Sequence, residues 1–474
     1  MKIENKICLR TVIKIDCCLD SPLLIGSGEN EKTDSDQLLT ADGMPFIPGS
    51  AMAGAMRSYL ENVMGRNEAA SLFGTLGWIQ QNEEERKTSE NVVDMQSRIY
   101  VYDSRLNDYR IIQRDGVRLN ERKTAEENMK YDMEAIEPGV SFCTRLEILI
   151  RENDVGDGLN ETFARDMERI RCIISGMESG GLRLGARGNR GFGKLNVLNS
   201  RFRVFRMDSI DDFEEWLNWN WDDEFNFSDM TENGCGEAKE VANVKEHCLT
   251  IPLRIKTTLM IRDYSTQIWS KEDLEPSGEI MDDYGQLTLG EGTAVIPGSS
   301  WAGAIRSYIA GLVQQIAGCN SWQNAQKLLE PFWGSWESNE SKESLRASRI
   351  IVDETRINGG HKLPVMRNAV DRFTGGSAKG ALFRETLWAG GTVNLTIHWS
   401  DRGLKDYEPK ALCGLLMWAV QGLRDGFLTV GGETGVGRGI FELIGDVHLD
   451  GQPIQEEKPY LLAASQWCRQ SKKG

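Results

Sequence analysis

The stretch Ile47-Pro48-Gly49-Ser50, followed by Gly54, Arg57, Ser58 and Tyr59, returns 249 residues later as Ile296-Pro297-Gly298-Ser299 with Gly303, Arg306, Ser307 and Tyr308. Upstream, Asp34, Gln37, Leu38 and Gly43 fall on Asp283, Gln286, Leu287 and Gly292 without a gap. Downstream, Phe73-Gly74 meets Trp333-Gly334, Ser97-Arg98-Ile99 meets Ser348-Arg349-Ile350, and Arg114 meets Arg367. A final match is a glycine loop, with Gly185, Gly191 and Gly193 spaced as Gly431, Gly437 and Gly439. Ordered matches at a nearly constant offset mean a duplicated unit, so the chain must fold twice into one architecture. Its 474 residues leave each copy enough chain for a core of its own.

The expected division is a first module over 1–206, an acidic linker over 207–246, a second module over 247–450 and a tail of uncertain order over 451–474. The linker holds thirteen Asp or Glu against two Lys, so most of the net charge of −16 is local. Within it, residues 211–217 read as a short helix and 231–236 as a flexible link. Trp216, Trp219 and Trp221 are expected to dock on a module, because exposed tryptophan is costly.

No apolar run approaches the roughly 18 residues of a membrane span. The first residues do not read as a secretory signal, so a cytoplasmic location is expected. Ten scattered cysteines with no C-x-x-C pair read as free thiols, not as disulfides or a zinc site. All four histidines lie in the second half, so chemistry common to both copies runs without histidine.

In each copy a short strand, residues 12–15 or 251–255, precedes a loop and then the Ile-Pro-Gly-Ser turn. Proline disfavours helix at the residue before it, and Ser50 or Ser299 is placed to cap the helix that follows. Met52, Met56, Tyr59 and Leu60 recur at helical spacing, as do Trp301, Ile305, Tyr308 and Ile309, which predicts one face packed on a sheet. The other face carries Ser50, Gly54 and Arg57, or Ser299, Gly303 and Arg306. Small residues and an arginine at a helix start suit a phosphate backbone, and suit equally well a structural contact with the arginine paired to an acid.

The first glycine loop brings Arg183, Arg187, Arg190 and Lys194 together with no acid, a phosphate-binding composition. Residues 188–194 satisfy G-x-x-x-x-G-K, but Leu195 stands where a magnesium-binding Ser or Thr is required, which argues against an ATP site. The second loop keeps Arg438 and has Glu433.

The helix start and the distant glycine loop, Gly-Gly-x-x-x-x-Gly-x-Gly in the second copy and with Ala186 in place of the second glycine in the first, resemble the RAMP superfamily of CRISPR-associated proteins over residues 6–447. The resemblance implies an α+β fold: two tandem modified ferredoxin-like, RRM-related βαββαβ modules with β-hairpin thumbs. It implies thumbs at residues 114–131, with Arg114, Val117 and Arg118, and at 367–376, with Arg367, Val370, Arg372 and Phe373. It also implies a backbone subunit of a type III effector complex, with guide CRISPR RNA, target RNA and other effector subunits as partners and no membrane.

In such subunits an aspartate in the loop before Ile-Pro-Gly-Ser is associated with magnesium-dependent cleavage of target RNA. Asp34 and Asp283 match that place as catalytic and metal-holding residues, with Asp36 and Asp282 as neighbours. The family often has lysine where this chain has Ala53 and Ala302. Three other functions stay open: a structural or capping subunit, a guide-RNA-processing ribonuclease, which usually relies on histidine, and a nucleotide-dependent enzyme. Both copies are expected to grip RNA through equivalent surfaces built from a helix start and a glycine loop.

Overall fold

A computed structural model describes residues 5–27, 35–75, 96–156, 158–222, 227–230, 246–263, 283–335 and 346–471. Asp34, Asp282 and the 231–236 link lie outside them. The first module runs β1 (Ile7–Leu19), β2 (Phe46–Ile47), α1 (Gly49–Val63), α2 (Arg66–Phe73), β3 (Ile99–Val101), β4 (Ser104–Arg105), β5 (Ile111–Leu119), β6 (Ala125–Ile136), β7 (Ser141–Arg151), α3 (Leu159–Ser179) and β8 (Leu195–Arg206). The acidic stretch adds α4 (Ile210–Asn218) and β9 (Ser228–Asp229).

The sheet order is β3-β7-β1-β8-β9, with antiparallel neighbours. Taking β1, α1, β3, β7, α3 and β8 in chain order gives βαββαβ with strands ordered 4-1-3-2, the ferredoxin-like arrangement. On β7 the residues Leu146 and Ile148 are buried against the helices while Arg145 and Glu147 point to the other face, the period of two that a sheet covered on one side requires.

The second module repeats this as β10 (Glu246–Ile255), β11 (Thr258–Leu259), β12 (Arg262–Asp263), β13 (Tyr284–Gln286), β14 (Val295–Ile296), α5 (Gly298–Ala317), α6 (Trp322–Leu328), α7 (Glu330–Trp333), β15 (Ile350–Val352), β16 (Thr355–Arg356), β17 (His361–Val370), β18 (Ser377–Ala389), β19 (Thr392–Ser400), α8 (Glu408–Arg424), β20 (Phe441–Leu443), β21 (His448–Leu449), β22 (Gln452–Pro453) and α9 (Lys458–Ser471). Its sheet runs β15-β19-β10, with β20 and β21 on the far edge of β10. The duplication reaches single hydrogen bonds. Gln37 Oε1 accepts from Ile25 N at 3.1 Å, and Gln286 Oε1 accepts from Ile261 N at 2.8 Å.

Two expectations are corrected. Pro48 and Pro297, not the serines, occupy the cap position, and no side chain of either residue caps its helix. In the first copy the helix-terminal N–H of the buried Gly49 donates to Asp103 Oδ1 at 2.7 Å, so a distant carboxylate does what a local serine was expected to do. The 451–474 stretch is not a loose tail through 471. Helix α9 buries Ala464, Trp467 and Cys468 on α8, and Gly414 permits the approach because a Cβ there would lie 2.0 Å from Tyr460 O. No described helix is long and apolar enough to cross a membrane.

Candidate nucleic-acid interface

Each thumb is a hairpin between the second and third strands of its module: β5–β6 in the first, β17–β18 in the second. At the roots Ile136 meets Leu23, and Trp388 meets Leu259. Counted from there, Arg114, opposite Met133, corresponds to Val365, opposite Glu385, two residues before Arg367. The two arginines aligned by sequence are thus different positions.

The helix-start arginines are tied down in the same way in both copies. Arg57 donates to Glu61 at 3.0 Å and to Gly74 O at 2.9 Å, while Arg306 donates to Gln326 at 2.6 Å, Trp333 O at 3.2 Å and Gly334 O at 3.3 Å. Arg57 closes the carbonyl end of α2 and Arg306 that of α7. Ser50, Gly54, Ser299 and Gly303 stay at the surface or close to it, and both Gly54 and Gly303 have open space above them.

The glycine loops share their backbone. Gly185, Arg187, Gly191 and Gly193 have φ of 76, 61, 88 and 71°, against 95, 57, 87 and 70° for Gly431, Glu433, Gly437 and Gly439. Their side chains differ. In the first loop Arg183 and Lys194 both reach Asp353 of the second module, Lys194 Nζ at 3.1 Å, and Asn189 donates to Ser348 O at 3.0 Å. Burial pushes the Asp353 carboxyl up, but the hydrogen bond from His398 with Arg183 and Lys194 holds it well below its ordinary value. His398, opposed by burial, is raised to about 9 by Asp353 and Cys248. Arg114 pairs with the buried Glu354 at 3.4 Å. In the second loop Arg438 reaches Glu385 at 2.7 Å and also Glu433, Arg367 reaches the same two acids, and Arg262 reaches Glu433 at 3.5 Å.

The remaining first-loop cations turn to the first thumb. Arg187 lies 4.4 Å over the Tyr131 ring, and Arg190 donates to the Tyr131 hydroxyl at 2.6 Å. This loop abuts α5 of the second module: a Cβ on Gly298 would stand 2.7 Å from Arg190 O. Helix α1 makes no comparable contact with the 188–190 turn. The expectation of two equivalent grips is therefore corrected to one composite surface, in which the glycine loop and thumb of the first module meet the helix start of the second. Arg118 lies near enough to Arg306 to help burial lower its pKa. Between the thumb tip and α6 runs an open cleft of about 580 Å³ lined by Arg118, Asn120, Glu121, Arg122, Thr124, Glu126, Trp322 and Gln323, in which Arg118 pairs with Glu126 at 3.2 Å.

On the first module the sheet face away from the helices is closed by the acidic stretch. Trp216 stacks under Arg10 at 4.3 Å, Trp221 meets Tyr102 edge-on at 5.5 Å, and Trp219 packs on Phe205 at 5.9 Å. The three tryptophans dock as expected, and what they cover is the face that an RRM-type sheet would offer to bases.

The model of the RAMP superfamily matches residues 18–196 and 249–442. The chain belongs to the RAMP superfamily. No curated protein matches this RAMP chain. Among solved structures it is similar to a chain of the cryo-EM structure of the Type III-B Cmr-beta bound to cognate target RNA, at 19% identity and a TM-score of 0.29, with 42% of this chain and 61% of that one covered.

In these RAMP modules Asp283 is exposed, and its Oδ2 accepts from Arg384 N at 2.8 Å. Asp36 is buried. Among the described residues no group of three or more His, Cys, Asp or Glu could hold a metal. The described part of this loop thus offers one open carboxylate oxygen on Asp283, a donor set that suits magnesium only when RNA phosphates supply further ligands. On the second thumb Val370 and Phe373 are exposed, as is Arg372. Val117 of the first thumb is exposed less.

Sequence comparison passed over Asp353, Glu354, His398 and Tyr131. The legible signal was a paired change: where Asp353 stands in one copy the other has Tyr102, and where Arg183 and Lys194 stand the other has Thr429 and Ile440.

Proposed function

We propose that this RAMP chain is a guide-RNA-binding backbone subunit of a type III CRISPR ribonucleoprotein and cleaves guide-complementary target RNA with magnesium. The observation that carries the binding reading is the composite surface at the junction. Arg187, Arg190, Arg118 and Arg122 come from the first module, and Ser299 and Gly303 open the start of α5 in the second. Cations, an aromatic ring and small residues that leave a helix start accessible are what a sugar-phosphate backbone requires, with sequence left to base pairing. Arg183, Lys194 and Arg438 serve this reading indirectly, by setting the loops that carry the others.

For cleavage, Asp34 and Asp283 are the carboxylates proposed to hold magnesium, which would supply positive charge to a developing phosphorane. The chain's part is to hold the strand so that a ribose 2′-OH lies in line with the neighbouring phosphorus and the 5′-oxygen leaves. A second reading, a purely structural backbone subunit, is favoured by the hydrogen bond that Arg384 N–H donates to Asp283. The test is cleavage mapping of guide-complementary RNA by the purified complex carrying Asp34→Ala, Asp283→Ala or both, with RNA binding measured alongside. Loss of one magnesium-dependent cut per substitution with binding intact supports the enzyme; unchanged cuts in the double variant leave only the structural role.

A further inference from the structure

Strand β10 lies beside β19 with Cys248 directly opposite His398. Residues opposite one another on an antiparallel pair share a face, so the thiol and the imidazole are neighbours on the side of the sheet away from the helices. His398 hydrogen-bonds the Cys248 thiol, and its Nε2 lies 3.3 Å from Asp353 Oδ2 at the β15–β16 turn. Thr250, two residues along the same face, sets its hydroxyl 3.9 Å from Cys248 Sγ. A cysteine, a histidine and an aspartate thus stand in the order that activates a thiol: the acid orients the ring, and the ring charges the sulfur.

The architecture does not require this set. Counted from the thumb-root residues Leu23 and Leu259, the same places in the first module hold Val12 opposite Glu147, with Tyr102 Oη donating to Glu147 at 3.1 Å. A hydrocarbon fills the place of the thiol there, so packing alone does not call for sulfur.

Charge around Cys248 favours the thiolate. Asp353 is shared by His398, by Lys194 Nζ at 3.1 Å and by Arg183, so three cations face one acid. Burial and Asp353 push the Cys248 thiol up, but the hydrogen bond and charge of His398 hold it below its ordinary value. The other acids nearby are occupied or weakened. Burial raises the carboxyl of Glu246, on the same face of β10, while Asp450 accepts from Cys248 N at 2.8 Å and also holds His247. On β21, His448 sits opposite Thr250 with its Nδ1 3.0 Å from Asp446 O. Elsewhere burial pushes thiols up, Cys143 and Cys172 to about 11 and Cys17, Cys413 and Cys468 to about 12. Cys248 is only partly buried, whereas Cys17, Cys413 and Cys468 are buried.

We propose that Cys248, activated by His398 and Asp353, is an oxidation site that reacts with hydrogen peroxide or a small hydroperoxide ahead of the other described cysteines. Low-pKa thiols in cationic, partly open surroundings are the ones that peroxide oxidises. The thiolate attacks one peroxide oxygen: the S–O bond forms as the O–O bond breaks, and sulfur gives up two electrons. The departing hydroxide takes the His398 imidazolium proton and leaves as water. That step leaves the ring neutral, so Asp353 loses one of its three cations and the state of the sulfur is felt at the junction between the modules.

The test uses the full-length chain and limiting iodoacetamide, read by peptide mass spectrometry across pH. At pH 7 Cys248 should be alkylated about tenfold or more faster than any other described cysteine, with a half-maximal rate below pH 9.0. His398→Asn should slow it about tenfold and move that midpoint up, with slow labelling of Cys17 and Cys413 in the same digest reporting that the variant is folded. Peroxide followed by dimedone should leave an adduct on Cys248, and peroxide should lower the melting temperature of the parent more than that of Cys248→Ser. The proposal is overturned by a parent whose Cys248 reacts no faster than its other thiols, or with a midpoint at or above 9.0. An unchanged rate in folded His398→Asn, no dimedone adduct, or an equal melting shift in both chains also overturns it.

Discussion

Asp353 of the second module receives Lys194 Nζ of the first at 3.1 Å, and the same carboxylate is shared with Arg183 and with His398 Nε2 at 3.3 Å. One nearly buried acid therefore collects three cationic groups from two modules, two of them from the loop whose composition suggests phosphate binding.

That arrangement makes the junction sensitive to pH. His398 is raised from 6.5 to about 9, so its contribution is complete below about 6.5 and lost as pH rises through about 9. Asp353 is lowered, so its contribution is present above the ordinary value of 3.8 and lost as pH falls through its folded value. Denaturant unfolding should show stability declining by up to about 3 kcal/mol between pH 6.5 and 10, and His398→Asn should abolish most of that slope. A slope of equal size in the variant would remove His398 from the account.

Gly191 and Gly437 form a controlled pair. Alanine at either must adopt a left-handed backbone, at a cost of about 1–2 kcal/mol. Only at Gly191 does the new Cβ also meet backbone of the other module, at 2.7 Å, which should add about 1–3 kcal/mol. Equal losses in chemical denaturation would mean that the junction is looser than these contacts require.

The arginines should separate by role. Arg438→Ala leaves the fully buried Glu385 with Arg367 as its remaining cation and should lower stability by about 2 kcal/mol, with the salt dependence of RNA binding unchanged. Arg118→Ala and Arg122→Ala should leave the melting temperature nearly unchanged and each reduce the slope of log affinity against log salt by about 0.7. RNA titrations at several salt concentrations decide, and a steepness unaffected by the thumb substitutions would take the RNA path out of that cleft.

The linker aromatics shield cations. Trp216→Ser and Trp221→Ser together should uncover Arg10 and Arg145, which now lie 4.3 and 5.5 Å over those rings. Affinity for unrelated RNA should rise severalfold at low salt and converge with the parent at high salt. No gain at low salt would show that the face is closed by something other than these rings.

Much of the architecture is legible in the chain. The repeat predicts two like folds, the spacing of Met52, Met56, Tyr59 and Leu60 predicts the buried helix face, and the tryptophans of the acidic stretch announce a docked segment. The candidate site is less legible. Arg57 and Arg306 look like phosphate ligands because a helix start with an arginine is common to both uses, and only the position of the next helix's carbonyls decides between them. Arg114 and Arg367 align by sequence yet sit at different hairpin positions, since register is fixed by how the hydrophobic pattern meets the partner strand and by the length of the turn.

By itself the sequence determined the duplication, the apolar helix faces and the docked tryptophans, because these depend on the repeat, on periodicity and on the cost of exposing large apolar rings. What only the tertiary structure decided is where the charges go. An arginine or a lysine is drawn equally to a phosphate and to a carboxylate, and which it meets depends on how closely the two modules approach. Here that approach brings Asp353 to Arg183 and Lys194, and leaves Arg187, Arg190 and the thumb facing the groove between the modules.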